Sequence, residues 1–208
     1  LNQRGRYGFD EWHSNSYYPV NISPLLNLYD FANPLDYKLR LVTNNVLHYV
    51  FFNLAADSLH GIFGTTHGRS YARNLVHPDM EGTSATCWLL FGEGSLHGGT
   101  GMSPVCLATS SYSLPELIAR IGTDRRTVSE SRQQQGTLMG TIPSANFVVY
   151  RTPDYMMSGL QDHRKGEYES STHVAQVSFE DQTVVFFSCP HTSGEGGGLR
   201  PDYWSGHT

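Results

Sequence analysis

The sequence predicts an α+β fold in which helical hairpins come first and an antiparallel sheet follows. Apolar residues recur every three or four positions up to about residue 121, whereas β-branched and aromatic runs separated by turn residues begin at about residue 146. Helices followed by strands are typical of the α+β class or of two separate layers. We expect a helical segment at 1–124, a linker at 125–145 and a sheet segment at 146–208.

Capping residues mark the first helical hairpin. Ser23 and Pro24 form a typical helix start, and Asn33-Pro34 ends the apolar face that follows. Asp36 can cap the next helix, which should run to about Ser58. The apolar stripe of that helix consists of Leu39, Val42, Val46, Val50 and Leu54, widened by Leu47 and Phe51. Shorter helices are expected at 83–91, 103–108 and 115–121.

Strands are expected at 147–150, 173–179 and 183–188, the last two joined by a turn at Glu180-Asp181. The polar stretch between Asp124 and Gly136 has no apolar face. It is therefore predicted to be the connection between the two halves.

Composition narrows the function classes. Lys and Arg number 14 against 19 Asp and Glu, for a net charge of -5, and the positive residues are scattered, so a nucleic-acid partner is not expected. No apolar stretch is long enough to span a bilayer, so a membrane partner is not expected either. The three cysteines match no metal-binding spacing. The chain begins at Leu1 without an initiator methionine, and we expect it to be part of a longer chain.

Two polar clusters are the candidate functional residues. In the glycine-flanked loop at 63–71, His67, Arg69 and Tyr71 alternate along the chain, which places them on one side of an extended backbone. The second cluster precedes the first helix and consists of Asp10, Glu11, Trp12, His13, Asn15 and Tyr17. Both segments flank the same helical hairpin, so we expect them to meet on one concave surface.

Four segments, at 8–12, 66–71, 150–156 and 200–204, resemble segments of bacterial proteins that are built like polysaccharide lyases. Those proteins join an (α/α) toroid to an antiparallel β-sandwich. The resemblance implies an incomplete toroid here, followed by part of a sandwich. If the chain acts on carbohydrate, its expected partner is an acidic polysaccharide or oligosaccharide, and its expected location is secreted or periplasmic.

β-Elimination of a uronic-acid polymer is the reaction that these residues favour. It needs a group that neutralises the substrate carboxylate, a base and an acid. Arg69 suits the first role because a guanidinium matches a carboxylate in two parallel hydrogen bonds. His67 suits the base because the unperturbed pKa of an imidazole lies near neutrality, and Tyr71 or Tyr17 can donate to the leaving oxygen.

Two alternatives stay open at this point. A glycoside hydrolase would use paired carboxylates, of which Asp10 and Glu11 are candidates, with a partner such as Asp154 or Asp162 from the sheet half. A carbohydrate-binding or structural module would use the same clusters only for stacking and hydrogen bonding.

The sheet half has a candidate metal site of its own. His173 lies on one expected strand and His191 follows the next, with Asp162 nearby in sequence, and zinc is commonly bound by imidazole and carboxylate. Zinc is thus a possible cofactor. Arg151 and Asp154 flank a Thr-Pro corner and are predicted to form an internal ion pair.

Overall fold

The computed structural model describes residues 1–96, 102–136, 144–161, 172–188 and 206–207. Its helices come first and its strands follow, which confirms the α+β class. None of the helices in these ranges combines the length and the apolar character needed to cross a bilayer.

The helices are α1 (Asn2–Tyr7), α2 (Tyr18–Phe31), α3 (Tyr37–Ala56), α4 (Ala72–Val76), α5 (Ser84–Phe91), α6 (Met102–Thr109) and α7 (Glu116–Thr123), with a 3-10 turn at Pro78–Met80. Helix α3 is the one that the sequence predicts best. The Asp36 carboxylate accepts the Leu39 amide at 3.1 Å, so the predicted cap is confirmed. Leu47, Phe51 and Leu54 are completely buried within this chain.

Helix α2 begins at Tyr18, not at Ser23 as predicted. The Ser23 hydroxyl donates to the Pro19 carbonyl at 3.1 Å, so this serine lies inside the helix and caps nothing. Pro19, in the first turn, takes the position in which a missing N–H costs little. Ile22 and Leu26 then face the core and extend the helix past Pro24.

The strands are β1 (Ser129–Gln135), β2 (Ala145–Arg151), β3 (Tyr155–Leu160), β4 (His173–Phe179), β5 (Val184–Ser188) and the two-residue β6 (Gly206–His207). They form one antiparallel sheet in chain order, so each strand pairs with the next. The expected strands in the sheet half are confirmed.

Strand β1 lies within the segment predicted to be a linker. Its pairing with β2 runs from Ser129 opposite Arg151 to Gln135 opposite Ala145. The strand carries no apolar face because its inward side chains meet polar groups of the helical half. Ser131 and Gln133 donate to the Asp57 carboxylate at 3.3 and 2.6 Å. A pattern built on apolar periodicity cannot detect such a strand.

The two halves pack through the segments that carry the candidate site. The main apolar core lies among α2, α3, α5 and the start of α7, where Leu26, Val50 and Phe91 pack together. A second cluster joins Trp12 and Leu59 to Phe147 and Met156 of the sheet. Residues before α2 and after α3 therefore lie between the helices and the strands.

Candidate functional site

The two predicted segments do meet, and hydrogen bonds hold them together. The Gly68 amide donates to the Trp12 carbonyl at 2.8 Å, and the Trp12 indole donates to the Thr66 hydroxyl at 3.3 Å. A Cβ at Gly68 would lie 2.6 Å from the Trp12 ring, so only glycine allows this approach. Asn15 accepts a hydrogen bond from Ser70 at 2.9 Å.

Four side chains come together where these segments reach the surface, and we call Glu11, Tyr17, Arg69 and Tyr71 the Arg69 cluster. The Arg69 guanidinium donates to the Glu11 carboxylate at 2.7 Å and to the Tyr71 hydroxyl at 3.3 Å. The Tyr17 and Tyr71 hydroxyls are hydrogen-bonded at 2.8 Å. The side chains of Arg69 and Glu11 are 18% and 34% exposed, so solutes can reach them.

The contacts within the cluster raise the pKa values of Arg69 and Tyr17, so that both side chains keep their protons. Burial opposes the charge on Arg69, but hydrogen bonds to Tyr71 and Glu11 outweigh it and raise the pKa of the guanidinium. The guanidinium carbon also lies 5.1 Å from the Tyr17 ring centroid and 5.9 Å from that of Tyr71, distances typical of cation–π contacts. The hydrogen bond to Tyr71, and then burial, raise the pKa of Tyr17. Tyr17 therefore keeps its proton at neutral pH.

His67 is not part of this surface. Its ring is completely buried, and Nδ1 donates to the His13 carbonyl. The His67 backbone pairs with that of His173 through two hydrogen bonds of 3.1 and 2.9 Å, and the two rings stack with their centroids 5.0 Å apart. Burial lowers the pKa of His67 to about 4. The prediction that His67 shares a concave surface with Arg69 and Tyr71 is wrong, because the loop runs from the core outward.

His13 is also buried, and we call His13, His67 and His173 the histidine cluster. The His13 Nε2 atom is hydrogen-bonded to the Gln135 amide, and Nδ1 lies 3.3 Å from the Thr65 hydroxyl. The Asp57 carboxylate is 3.6 Å from Nδ1. Burial, and then the neighbouring His67, lower the pKa of His13, while burial raises that of Asp57 to about 7. His13 is therefore neutral at neutral pH, whereas the Asp57 carboxyl is about half ionised there.

Of the other predicted binding residues, Asp10 is partly exposed at the surface, whereas Trp12 and Asn15 are buried. Asp10 lies at the surface, where Arg4 approaches it at 3.4 Å, and its side chain is 34% exposed. Trp12 is 1% exposed and belongs to the core, which corrects its prediction as a sugar-stacking ring. Asn15 is completely buried and donates to Glu81 at 3.1 Å, so it supports the loop from below and cannot contact a ligand at the surface.

Sequence analysis missed two buried acids, Glu81 and Asp57. Glu81 accepts the Phe63 amide at 2.6 Å, and burial raises its pKa to about 7. Glu81 thereby fixes the start of the loop that ends in Arg69. The signal that could have indicated Asp57 is its position at the end of the apolar stripe of α3.

The possible zinc site receives no support within the described ranges. No group of three or more His, Cys, Asp or Glu residues in them is arranged to hold a metal ion. His173 is completely buried and stacks on His67. His191 and Asp162 lie outside the described residues, so their part in a zinc site stays a prediction.

Arg151 has other partners than the Asp154 predicted for it. Its guanidinium donates to the carbonyls of Ala55 and Ser58, at 2.8 and 3.2 Å, and to that of Ile121 at 3.3 Å. These bonds tie strand β2 to the ends of α3 and α7.

Comparison of this chain with known protein families, with curated proteins and with solved structures finds no match in any of the three, so the geometry of the site has to carry the functional argument.

Proposed function

We propose that this chain belongs to a carbohydrate-active protein that cleaves a uronic-acid-containing polymer by β-elimination at the Arg69 cluster. One observation carries the proposal. The Arg69 guanidinium binds the Glu11 carboxylate at 2.7 Å, directly beside two hydrogen-bonded phenols. Glu11 thus stands where the carboxylate of a uronate residue would bind, and a substrate would displace it.

Arg69 is the group that stabilises charge. When the proton on C5 of a uronate is removed, negative charge develops on the adjacent carboxylate. A guanidinium held in place by Tyr71 meets that charge without reorganising, which is how preorganised donors lower a barrier. Its fork also suits a carboxylate better than a lysine would.

The two phenols supply the base and the acid. Tyr71, which accepts a hydrogen bond from Arg69, would act as a phenolate and take the C5 proton. The electron pair of the broken C–H bond forms the C4–C5 double bond while the C4–O bond breaks. Tyr17, whose pKa is raised, would donate its proton to the departing oxygen. Tyr71 replaces His67 as the base because burial keeps His67 away from any polymer.

The finer description of the fold belongs to the same proposal. The helical hairpins would be part of an (α/α) toroid, and the sheet would be one layer of an antiparallel β-sandwich. An acidic polysaccharide or oligosaccharide would be the partner, in a secreted or periplasmic setting. The net charge of -5 makes a local cationic group such as Arg69 more necessary for an anionic polymer.

Hydrolysis is less well supported by the contacts of the two acids. Asp10 contacts Arg4 at 3.4 Å and Glu11 contacts Arg69 at 2.7 Å, so each carboxylate meets a different guanidinium. In a hydrolase the two carboxylates flank the same glycosidic bond, whereas these two contact different guanidinium groups.

The experiment is incubation of the protein with a panel of acidic polysaccharides, followed by ultraviolet absorbance of the unsaturated uronate. A rise in absorbance that is lost in Tyr71→Phe supports elimination. New reducing ends without that absorbance would mean hydrolysis and overturn the proposal. Binding without either product would leave a carbohydrate-binding module in its place.

A further inference from the structure

A cavity lies on a part of the chain that shares no residue with the Arg69 cluster. It measures about 260 Å³, is partly open to solvent, and is lined by residues at the end of α3, at the end of α7 and on strands β1 and β2. Ala56, Ile121 and Val149 line it with apolar atoms, and Ser129 and Ser131 add hydroxyl groups. Apolar walls with a few polar groups are the usual composition of small-molecule sites.

Arg151 gives this cavity a buried charge. The residue is 6% exposed, and it lines the cavity. Its two terminal nitrogens donate to backbone carbonyls, but the Nε hydrogen has no partner. A buried donor without an acceptor is costly, and a guanidinium satisfied only by neutral carbonyls keeps its full positive charge.

The nearby acids do not pair with Arg151. Asp124 also lines the cavity, but its carboxylate accepts the backbone amides of Arg126 and Thr127 at 2.9 and 3.1 Å. Asp57 binds Ser131 and Gln133. Both acids act on Arg151 only at a distance, while burial lowers the pKa of Arg151. An anion that reached Nε would therefore meet a charge that no carboxylate yet neutralises.

We propose that this cavity binds a small carboxylate ligand with a compact apolar body. Because the Nε atom of Arg151 is buried in this structure, the side chain would rotate slightly on binding so that the carboxylate accepts the Nε hydrogen. The apolar body would pack against Ala56, Ile121 and Val149. The Ser129 hydroxyl would donate a second hydrogen bond to the carboxylate, since the Ser131 hydroxyl already donates to Asp57. A ring the size of benzoate fits the volume.

The test uses benzoate as the probe and benzamide as its uncharged match. The Nε–H resonance of Arg151 is followed by NMR during titration of the intact chain with each compound. We expect a saturable shift with benzoate, at a dissociation constant of about 1 mM or tighter, and at least about tenfold weaker binding of benzamide. The Nε–H resonance of the exposed Arg132 serves as the internal control, because Arg132 is paired with Glu130 at 2.8 Å.

Two variants locate the ligand. Ala56→Leu fills the cavity from α3, and Thr127→Leu narrows it from its exposed rim without touching the core. Each should weaken benzoate binding by about tenfold or more, which is about 1.4 kcal/mol or more. No saturable shift in the unmodified chain, equal binding of benzamide, or unchanged binding in a folded variant would overturn the proposal. None of these outcomes bears on β-elimination at Arg69.

Discussion

Arg69 and His67 are two residues apart in the chain, yet they lie in opposite environments. Arg69 is partly exposed, binds a carboxylate and keeps its charge. His67 is fully buried, stacks on a second imidazole and loses its charge because burial lowers its pKa to about 4. The same loop thus carries a charged surface group and a neutral core group. Burial therefore separates these two neighbouring polar residues: it leaves Arg69 within reach of a solute and removes His67 from the surface.

The histidine cluster has a structural role that the Arg69 cluster lacks. His13, His67 and His173 come from the segment before α2, from the loop and from strand β4. Their contacts hold the helical half against the sheet, and the Arg69 cluster lies where the joined segments reach the surface. Changes to the two clusters should therefore have separable effects, on stability in one case and on turnover in the other.

Arg69→Ala should give the largest effect, a loss of about 100-fold or more in turnover of a uronate polymer with folding unchanged. Under the proposed elimination, it removes transition-state charge stabilisation worth about 3 kcal/mol, not core packing. The measurement is the initial rate of ultraviolet absorbance together with the thermal unfolding midpoint. Arg73→Ala is the matched control, since Arg73 is exposed on α4. Near-normal turnover in Arg69→Ala would remove Arg69 from the mechanism.

His67→Ala should lower the free energy of unfolding by about 2 to 4 kcal/mol. The change leaves a cavity against His173 and removes the donor to the His13 carbonyl. Urea unfolding measures it, with His77→Ala as the control because His77 is exposed. If stability stayed the same while turnover fell, His67 would belong with the Arg69 cluster after all.

The pH dependence of stability should separate His67 from Glu81. The folded pKa of His67 lies near 4, below its ordinary value of 6.5, so the unfolded chain binds more protons between these values and stability rises with pH. The folded pKa of Glu81 lies near 7, above its ordinary 4.5, so stability falls as pH rises through that window. The two effects oppose each other.

Glu81→Gln should therefore make stability rise more steeply with pH between about 4.5 and 7. The slope should change by up to about 1.4 kcal/mol per pH unit, the value for one proton. Denaturant titrations across this range give the slope, which does not depend on the absolute cost of the substitution. An unchanged slope would mean that Glu81 is ionised in the folded protein.

Glu11→Gln should have the smallest effect, an increase of about two- to fivefold in affinity for a uronate oligosaccharide. Under the proposed function Glu11 would compete with the substrate carboxylate for Arg69, and a partly exposed ion pair is worth about 0.2 to 1 kcal/mol. Calorimetric titration measures the change. Weaker binding in this variant would show that Glu11 orients Arg69 and does not compete for it.

The parts of the fold that follow from local signals could be predicted. The Asp36 cap and the apolar stripe of α3 act within a few residues of one another, and the structure confirms both. The start of α2 could not be predicted in the same way. Ser23 and Pro24 match the capping pattern, yet both lie inside the helix. Burial of Ile22 and Leu26 stabilises the helix on both sides of Pro24.

The sequence predicted which segments form the candidate site, but not which of their side chains are buried. Alternation correctly grouped Arg69 with Tyr71, and the meeting of that loop with Glu11 and Tyr17 is confirmed by their hydrogen bonds. Alternation along the chain carries no information about burial, so it also predicted that His67 lies at the surface. The polar strand β1 was missed for a related reason. Its partner Asp57 lies far away in sequence, and no local pattern records such a pair.

The chain order of the sheet has a consequence for how the molecule folds. Each described strand pairs with its neighbour in sequence, so no strand pairing has to close a connection of more than 17 residues, the length between β5 and β6. The contacts between the halves are far less local, since His13 meets Gln135 across 122 residues. Local contacts form quickly and distant ones slowly. We therefore expect the strands to assemble early, and the junction beneath the Arg69 cluster to be completed in the last step of folding.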